Sequence, residues 1–420
     1  MEVWIAALIF VGAYTLIATE RVHKTVAALL GGVLMIVLGV MDQEEAFAAI
    51  DLNVIFLLLG MMVIANIMRG TGVFQWLAIR ALNVAGAQPW RIMLMFALVT
   101  AIASALLDNV TTVVLIAPIT LYVAAAMRVS PVPYLIAEIL ASNIGGASTL
   151  IGDPPNILIA SAAGIDFVTF AANMVPIAVI VFMALIVLMR VMFRRELAAQ
   201  RATMVMTDLD PTGVINDPRL MRISVAVMLA TLVGFVIAGL VGFEPATVAL
   251  LGATVLLVLA RLDPAEIFAE VEWGTLLFFV GLFILVEGII HVGIIDALAD
   301  WLFAQTGGDL AVTSMVLLWF SGIASGIVDN IPYTATLIPV VQQLIARGME
   351  GEPLWWSLAL GADLGGNGTV IGASANVIIV ALALRAGSAI HFRTFLRYGV
   401  PVVAVSLILS SIYVWLRYLT

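Results

Sequence analysis

Long apolar runs, separated by short polar segments, follow one another along the whole chain. Runs of about 18 or more apolar residues are typical of helices that cross a membrane. The pattern therefore predicts an all-α polytopic membrane protein. The ten predicted spans cover residues 3–19, 25–40, 52–69, 132–163, 167–192, 222–241, 246–260, 273–290, 353–384 and 398–416.

Two further apolar segments, residues 91–127 and 311–346, are each interrupted by an Asp-Asn pair. An ionised carboxylate at the bilayer centre costs about 2.5–3.5 kcal/mol on insertion scales, so it must pair, become protonated or face a polar cavity. We predict that each segment is a re-entrant hairpin with its pair at the turn. The two pairs are Asp108-Asn109 and Asp329-Asn330.

Two of the predicted spans, 132–163 and 353–384, contain helix-breaking residues near their middle. Tandem glycines and prolines do not fit inside a regular helix, whereas proline is favoured in a first turn. We therefore predict that each span is two half-helices, whose ends leave backbone groups free for a ligand at mid-membrane. The breaking pairs are Gly145-Gly146, Pro154-Pro155 and Gly365-Gly366.

The polar residues of the two halves match each other in constant register, which indicates an internal duplication. At an offset of 221, Asp108-Asn109 matches Asp329-Asn330 and Gly60 matches Gly281. Beyond the hairpins the offset is 220. We predict a first repeat at 1–193, a cytoplasmic linker at 194–221 and a second repeat at 222–420.

Arginine and lysine cluster on one side of the predicted spans, and acidic residues cluster on the other. The positive-inside rule then places both termini outside the cytoplasm. Five crossings per repeat is an odd number, so the repeats are expected to have inverted topology. We expect a multi-pass protein of the bacterial inner membrane or plasma membrane.

Composition supports this class and excludes others. The chain is 63% hydrophobic and 11% charged, whereas soluble domains are near half apolar and a quarter charged. It contains no cysteine, which excludes thiolate metal sites and disulfides. No histidine-carboxylate metal motif, nucleophile with an adjacent base or long basic tract occurs. We therefore expect no enzyme, no metal, no cofactor beyond a coupling ion, and no nucleic-acid partner.

Polar residues at the turns and breaks are the candidate binding residues. No arginine or lysine lies near either Asp-Asn pair in the sequence, so we expect no ion-pair partner for Asp108 or Asp329, which could also simply cap the hairpin helices. The candidate residues for substrate or ion binding are Asp108, Asn109, Thr112, Ser142, Asn143, Gly145, Gly146, Thr149, Asp153, Asn156, Asp329, Asn330, Thr334, Asp363, Gly366, Asn367, Thr369, Ser374 and Asn376.

The two halves differ in their remaining acids. Asp153 stands where it could cap the second half-helix or carry a proton, and the matching position in the second half has no carboxylate. Asp363 instead matches Asn143. Glu138 lies four residues before Ser142 and could face the same cavity, or it could be a satisfied structural acid. The candidates for proton coupling are Asp108, Asp329, Asp153, Asp363 and Glu138.

These motifs resemble the ion-transporter superfamily, in the branch that holds ArsB-type arsenite-efflux proteins, NhaD-type sodium/proton antiporters and the melanosomal P protein. The stretches that carry the resemblance are 104–112, 142–156, 329–336 and 361–376, which are most similar to the P-protein pattern. The resemblance implies a scaffold domain and a transport domain with two re-entrant hairpins. It also implies a homodimer with elevator-like movement.

The residues at the hairpin tips narrow the range of expected substrates. Related sodium-coupled dicarboxylate transporters carry Ser-Asn-Thr there, whereas this chain has Asp at both tips, which disfavours a dianion. We expect a secondary transporter that exchanges a small ion or neutral oxyacid for protons, and favour arsenite or antimonite efflux over sodium/proton antiport, with H⁺ or Na⁺ as coupling ion. An anion channel and an organic-anion (dicarboxylate or citrate) transporter remain alternatives. An arsenite exporter could also bind a soluble ATPase subunit.

Overall fold

The computed structural model describes residues 1–19, 21–86, 88–199 and 211–420. These residues form helices joined by turns, and no β-strand occurs in the described ranges. The prediction of an all-α polytopic membrane protein is confirmed.

The helices follow the same order in both halves of the chain. In the first half they are α1 (Glu2–Thr19), α2 (Lys24–Val37), α3 (Gln43–Ala48), α4 (Leu52–Gly70), α5 (Val73–Ala85), α6 (Pro89–Leu106), α7 (Asn109–Met127), α8 (Val132–Gly146), α9 (Pro154–Ala163) and α10 (Phe167–Met192). The short α11 (Arg194–Ala199) and a 3₁₀ turn (Pro211–Val214) follow. In the second half they are α12 (Pro218–Val241), α13 (Pro245–Ala260), α14 (Pro264–Ala269), α15 (Trp273–His291), α16 (Ile294–Thr306), α17 (Leu310–Ser325), α18 (Asn330–Ala346), α19 (Gly351–Gly365), α20 (Ser374–Arg385) and α21 (Phe392–Tyr418).

Eight of the described helices are long and apolar enough to cross a membrane: α1, α4, α6, α7, α10, α12, α15 and α21. The bent pair α16–α17, with an angle of 119°, makes a ninth if it is counted as one span. Two predicted spans, α2 and α13, are only 14 and 16 residues long. At 1.5 Å per residue they extend roughly 21–24 Å, which is less than a typical hydrocarbon core.

Two helices of thirteen residues each were not predicted, because they are short and carry polar residues. These are α5 and α16, and each begins directly after a glycine in the left-handed region, Gly72 with φ 84° and Gly293 with φ 77°. Glycine adopts positive φ without a steric penalty. Each of these helices directly precedes the first limb of a hairpin, so it sets where the hairpin enters.

Two close helix pairs hold the halves together. A Cβ added at Gly60 on α4 would lie 2.6 Å from the backbone of Ala249 on α13. A Cβ added at Gly281 on α15 would lie 2.6 Å from the backbone of Ala28 on α2. Small residues that let helix backbones touch are a frequent device in membrane proteins. Gly60 and Gly281 therefore allow these two helix pairs to pack closely.

The end of the predicted linker is fixed to the first half. The Asn216 backbone N–H donates to Thr71 O at 3.1 Å, and Asn216 Nδ2 donates to Gly70 O at 3.0 Å. Part of the linker, residues 200–210, lies outside the described residues. The segment 211–217 is therefore held at the junction of α4 and α5, and the cytoplasmic placement of the linker stays a prediction.

Candidate functional site

Each Asp-Asn pair lies at the turn between two helices, as predicted. Asp108 is the N-cap of α7, and its Oδ1 accepts a hydrogen bond from Thr111 N at 2.7 Å. Asp329 is the N-cap of α18 and accepts from Ile331 N at 3.1 Å. A carboxylate at this position satisfies free N–H groups of the first turn and suits the positive helix end. Both aspartates therefore cap their helices.

The hairpin turns meet the gaps in the broken helices. The Asn109 backbone N–H donates to Gly152 O at 3.1 Å, and the Asn330 N–H donates to Gly372 O at 3.3 Å. Gly152 lies between α8 and α9, and Gly372 lies between α19 and α20. Each tip is thus bonded to backbone that the helix break has set free.

The gaps themselves are closed by one asparagine each. Asn156 Nδ2 donates to the carbonyls of Gly146 and Thr149 at 3.1 and 2.9 Å. Asn376 Nδ2 makes the equivalent bonds to Gly366 and Thr369, both at 2.8 Å. Freed carbonyls in a low-dielectric interior need such donors. The two amides therefore hold the shape of the gaps.

Asp153 joins the two hairpin tips. Its carboxylate accepts from Asn109 Nδ2 at 2.7 Å and from Asn330 Nδ2 at 3.2 Å. Its side chain makes no capping bond to α9, although it occupies the N-cap position. The residue is only 1% exposed. The capping alternative for Asp153 is therefore wrong, because its oxygen is taken by amides from both hairpins.

Asn143 connects the first break to the second. Its Nδ2 donates to Asn367 Oδ1 and to Asn376 Oδ1, both at 2.9 Å, and its Oδ1 accepts from Asn109 Nδ2 at 3.3 Å. All four asparagines are buried. Amides both donate and accept, so they can form a continuous network without adding charge. The network brings both halves to one centre.

Asp363 is buried beside this network without a hydrogen bond. It is 0% exposed, and within the described ranges neither carboxyl oxygen has a hydrogen-bond partner. The Oδ1 of Asn156, which also lacks a partner there, belongs to the side chain that interacts with Asp363. Asp363 is also close enough to Asp153 to interact with it electrostatically, as are Asp329 and Asp108. Four carboxyl groups thus converge at the centre.

The expectation that neither tip aspartate has a cationic partner is wrong for Asp329. Lys24, the first residue of α2, places its Nζ 3.3 Å from Asp329 Oδ2 and donates to Ser374 Oγ at 2.7 Å. Ser374 Oγ in turn donates to the same Asp329 oxygen at 2.9 Å. The partner was missed because it lies 305 positions away in sequence. Proximity along the chain gave no signal for it.

The remaining candidates take different places. Thr112 and Thr334 are buried in the hairpins, and their hydroxyls have no hydrogen-bond partner among the described residues. Ser142 Oγ donates locally to Ile139 O at 2.9 Å. Added Cβ atoms at Gly145 and Gly146 would meet Ala101 O at 2.2 Å and Gly152 O at 2.7 Å, so both glycines permit close backbone contacts.

Glu138 lies apart from the hairpin tips. It is fully buried on α8 and accepts a short hydrogen bond from Thr120 on α7, while its Oε2 has no partner among the described residues. It does not line the cavity that reaches the tips. The structural interpretation of Glu138 fits this position better than a role in solute binding.

A cavity of about 390 Å³ leads from both hairpin tips to the ends where α1 finishes and α2 and α15 begin. Its charged lining consists of Asp108, Asp329 and Glu272 with Lys24, and His23 also lines it. Three carboxyl groups against one lysine give this cavity a negative field, which attracts cations and repels free anions. Within the described ranges no cluster of histidine and acidic residues has a metal-binding arrangement.

Comparison with known proteins gives consistent matches. The family model described as citrate transporter (CitMHS) matches residues 14–361. An uncharacterized transporter of Mycobacterium tuberculosis is 48% identical over 423 residues, covering 99% of this chain and 98% of that protein. The human P protein is 33% identical over 498 residues, covering 98% of this chain and 59% of its own length. The crystal structure of the YdaH transporter of Alcanivorax borkumensis matches with a TM-score of 0.63 and 14% identity, covering 99% of this chain and 97% of that one.

Proposed function

We propose that this chain, which belongs to the CitMHS citrate transporter family, is a secondary transporter whose central carboxyl groups couple a small solute to protons. The similarity to the P protein confirms the predicted resemblance to the ion-transporter superfamily. The protein is a multi-pass membrane transporter; its substrate, coupling and movement are the subject of the proposal.

The position of Asp153 is the observation that carries the proposal. One buried carboxylate accepts amide hydrogen bonds from Asn109 and Asn330, which belong to opposite hairpins. Protonation of Asp153 would weaken both bonds, because charge-assisted hydrogen bonds are roughly twice as strong as neutral ones. Loss or gain of one proton at this point would therefore change how both tips are held.

Asp363 supplies a second proton position. A buried ionised carboxylate without hydrogen bonds is costly, so the uncharged acid suits this site. The protonated group would donate to Asn156 Oδ1, which satisfies the oxygen of that amide as well. We propose that Asp363 holds a proton in this state and that Asp153 and Asp363 share the coupling.

The negative cavity favours a neutral oxyacid or a cation as solute. Arsenous and antimonous acids are neutral near pH 7, and the hydroxyls of Thr112 and Thr334, which have no partner among the described residues, could hold them. We propose arsenite or antimonite as the first candidates and sodium as the next. In this proposal the hairpins and broken helices move together against the paired helices α2–α15 and α4–α13, in an elevator-like movement.

An organic anion is the second candidate. The family description names citrate, and Lys24 and Ser374 form a donor pair at the N-terminus of α20. A helix N-terminus favours an anionic group. A carboxylate solute would need cations or protons to offset Asp108, Asp329 and Glu272.

The test is solute flux in proteoliposomes under an imposed pH gradient. Arsenite, antimonite, sodium, lithium, chloride and citrate are compared, and proton movement is recorded with a pH-sensitive dye. We expect one solute to move against its gradient with protons in the wild type. Asp363→Asn should keep solute binding and lose the proton flux, because an amide cannot exchange the proton.

Three results would contradict the proposal in distinct ways. Flux that follows membrane voltage without protons or sodium supports a channel. Full proton coupling in both Asp363→Asn and Asp153→Asn would show that neither aspartate carries the coupled proton. Proton-coupled citrate flux, with no response to arsenite, antimonite or sodium, would show that the solute is an organic anion and not a neutral oxyacid or a cation.

A further inference from the structure

The second hairpin is joined to the first two helices of the chain by polar contacts. Lys24 Nζ reaches Asp329 and Ser374 from α2, as described above. Tyr14 on α1 donates its hydroxyl to Pro332 O at 2.8 Å and lies 2.5 Å from Thr336 Oγ1. We refer to these contacts, made by Tyr14 and Lys24, as the N-terminal clamp.

The matching positions of the other half cannot form such a clamp. At the offset of 221, Tyr14 corresponds to Phe235 and Lys24 corresponds to Pro245. At the offset of 220, Ser374 corresponds to Pro154. Phenylalanine has no hydroxyl and proline has no donor group. In the part of the chain that the structure describes, the clamp therefore occurs at the second hairpin only, although both hairpins carry a capping aspartate, Asp108 or Asp329.

The lysine is held in the cavity rather than in free solvent. Its side chain is 29% exposed and that of Asp329 is 17% exposed. The Nζ lies 5.2 Å from the centre of the Phe278 ring. The quadrupole of an aromatic ring attracts a cation that lies over its face. Thr25, the next residue, donates to Gly274 O at 2.7 Å and so anchors the start of α2 on α15.

We propose that Lys24 is a tethered cation that holds the second hairpin tip against α2, and that a monovalent cation entering the cavity competes with it for Asp329. The ammonium group makes one carboxylate and one hydroxyl contact, and both oxygens are also suitable ligands for a small hard cation. The negative lining concentrates cations beside the pair. Displacement of Lys24 would remove its hold on the second tip, whereas the first tip has no matching lysine to displace, because the position that matches Lys24 is Pro245.

This deepens the proposed function by assigning the release of one hairpin to cation competition. Cation binding can be measured without transport, so the two proposals can fail separately. The purified full-length protein is heated in sodium or lithium chloride, with choline chloride keeping the ionic strength constant. The rise in Tm with sodium or lithium gives an apparent affinity.

Removal of the competing ammonium should strengthen cation binding. We expect Lys24→Met to bind sodium or lithium about 5- to 30-fold more tightly than the wild type, which is the range for an ion pair of one to two kcal/mol. Lys24→Arg should stay near the wild type. Arg21→Met, which removes the same charge from an exposed position three residues earlier, is the matched control and should leave the affinity unchanged.

Chemical rescue distinguishes the charge from the shape of the side chain. Because the chain has no cysteine, Lys24→Cys introduces a single thiol. A methanethiosulfonate reagent that adds an aminoethyl group restores an ammonium, and a hydroxyethyl reagent adds a neutral group of similar size. We expect only the charged adduct to return the weak affinity of the wild type.

The proposal is overturned if Lys24→Met leaves the sodium and lithium affinities unchanged or weaker. It is also overturned if both adducts of Lys24→Cys behave alike, or if no cation stabilises any of the variants. Tight binding by Lys24→Met that persists in the double variant with Asp329→Asn would place the cation elsewhere and would contradict it as well.

Discussion

The two hairpin tips share a backbone arrangement and differ in the charges around it. In both, an aspartate caps the second limb, and the following asparagine N–H donates to a carbonyl of the adjacent helix break. Both tips meet Asp153, which belongs to the first half and has Ala373 as its counterpart in the second half. The second tip also meets Lys24 and Ser374, whose counterparts in the other half of the chain are Pro245 and Pro154.

The comparison of the two tips distinguishes the features that both halves share from the features that differ between them. The caps and the gap-closing asparagines satisfy backbone groups, so losing either copy would leave polar atoms unpaired. The extra acids and the lysine satisfy no such requirement. They differ between the two halves, and they place a negative centre on one side of the site and a paired charge on the other.

Removal of the charge of Asp153 should have the largest effect, because this carboxylate is bonded to both tips. For Asp153→Asn we expect proton-coupled flux to fall about 100-fold, because a buried hydrogen bond to a charged group is worth about 1.5–3 kcal/mol and the residue makes two. The flux assay in proteoliposomes measures this. In thermal unfolding in detergent, Asp153→Asn should lower Tm, whereas Asp363→Asn should not, since the new amide can donate to Asn156 Oδ1.

Asp166→Asn is the control, because that carboxylate caps α10 away from the site and should leave proton coupling intact. A normal coupled flux in Asp153→Asn, or an equal loss of Tm in the Asp153 and Asp363 variants, would contradict the difference between these acids.

The close backbone contacts at the two helix breaks should respond alike to substitution of their glycines. An added Cβ would lie 2.2 Å from Ala101 O in Gly145→Ala and 2.4 Å from Gly322 O in Gly365→Ala. Overpacking of this kind typically costs about 1–3 kcal/mol, so both variants should lose thermal stability and folded yield to a similar degree. Thermal unfolding in detergent measures the loss.

Gly12→Ala is the matched control, since nothing lies within 4 Å of an added Cβ there. It should leave Tm unchanged or raise it slightly, because alanine favours helix by about 1 kcal/mol over glycine. Tolerance of alanine at only one of Gly145 and Gly365 would show that the backbone contacts at the two helix breaks are not equivalent.

The smallest expected difference concerns the caps. Removal of an N-cap carboxylate costs about 1 kcal/mol, so Asp108→Ala should lower Tm modestly. Asp329→Ala should lower it more, because it also leaves Lys24 and Ser374 without their carboxylate. Asp309→Ala, which removes a cap from α17 away from the tips, gives the cost of capping alone. An Asp108 variant less stable than the Asp329 variant would reverse the comparison.

The framework of the site could be predicted from the sequence because its determinants are local. Asp-Asn pairs inside apolar segments, tandem glycines and paired prolines each dictate backbone behaviour within a few residues. The hairpin turns and helix breaks therefore fell where expected. The amphipathic helices α5 and α16 were missed, because thirteen-residue segments with polar side chains give no membrane-span pattern.

The partners at the site could not be predicted, because they depend on contacts distant in sequence. Lys24 was read only as a basic residue near a membrane surface, and its bond to Asp329 requires α2 to lie beside the second hairpin. Asp153 stood at a position suited to an N-cap, yet the fold offers it two side-chain amides instead. Local preference gave way to tertiary contacts in both cases.

The backbone contacts of Gly60 with Ala249 and of Gly281 with Ala28 have a consequence for how the two halves depend on each other. Each contact takes one helix from each half, and each half contains both kinds of surface, the glycine on one helix and the alanine on another. An isolated half would leave both surfaces open to lipid, while two copies of one half could cover them for each other. Each half of this chain therefore supplies the cover that the other half lacks.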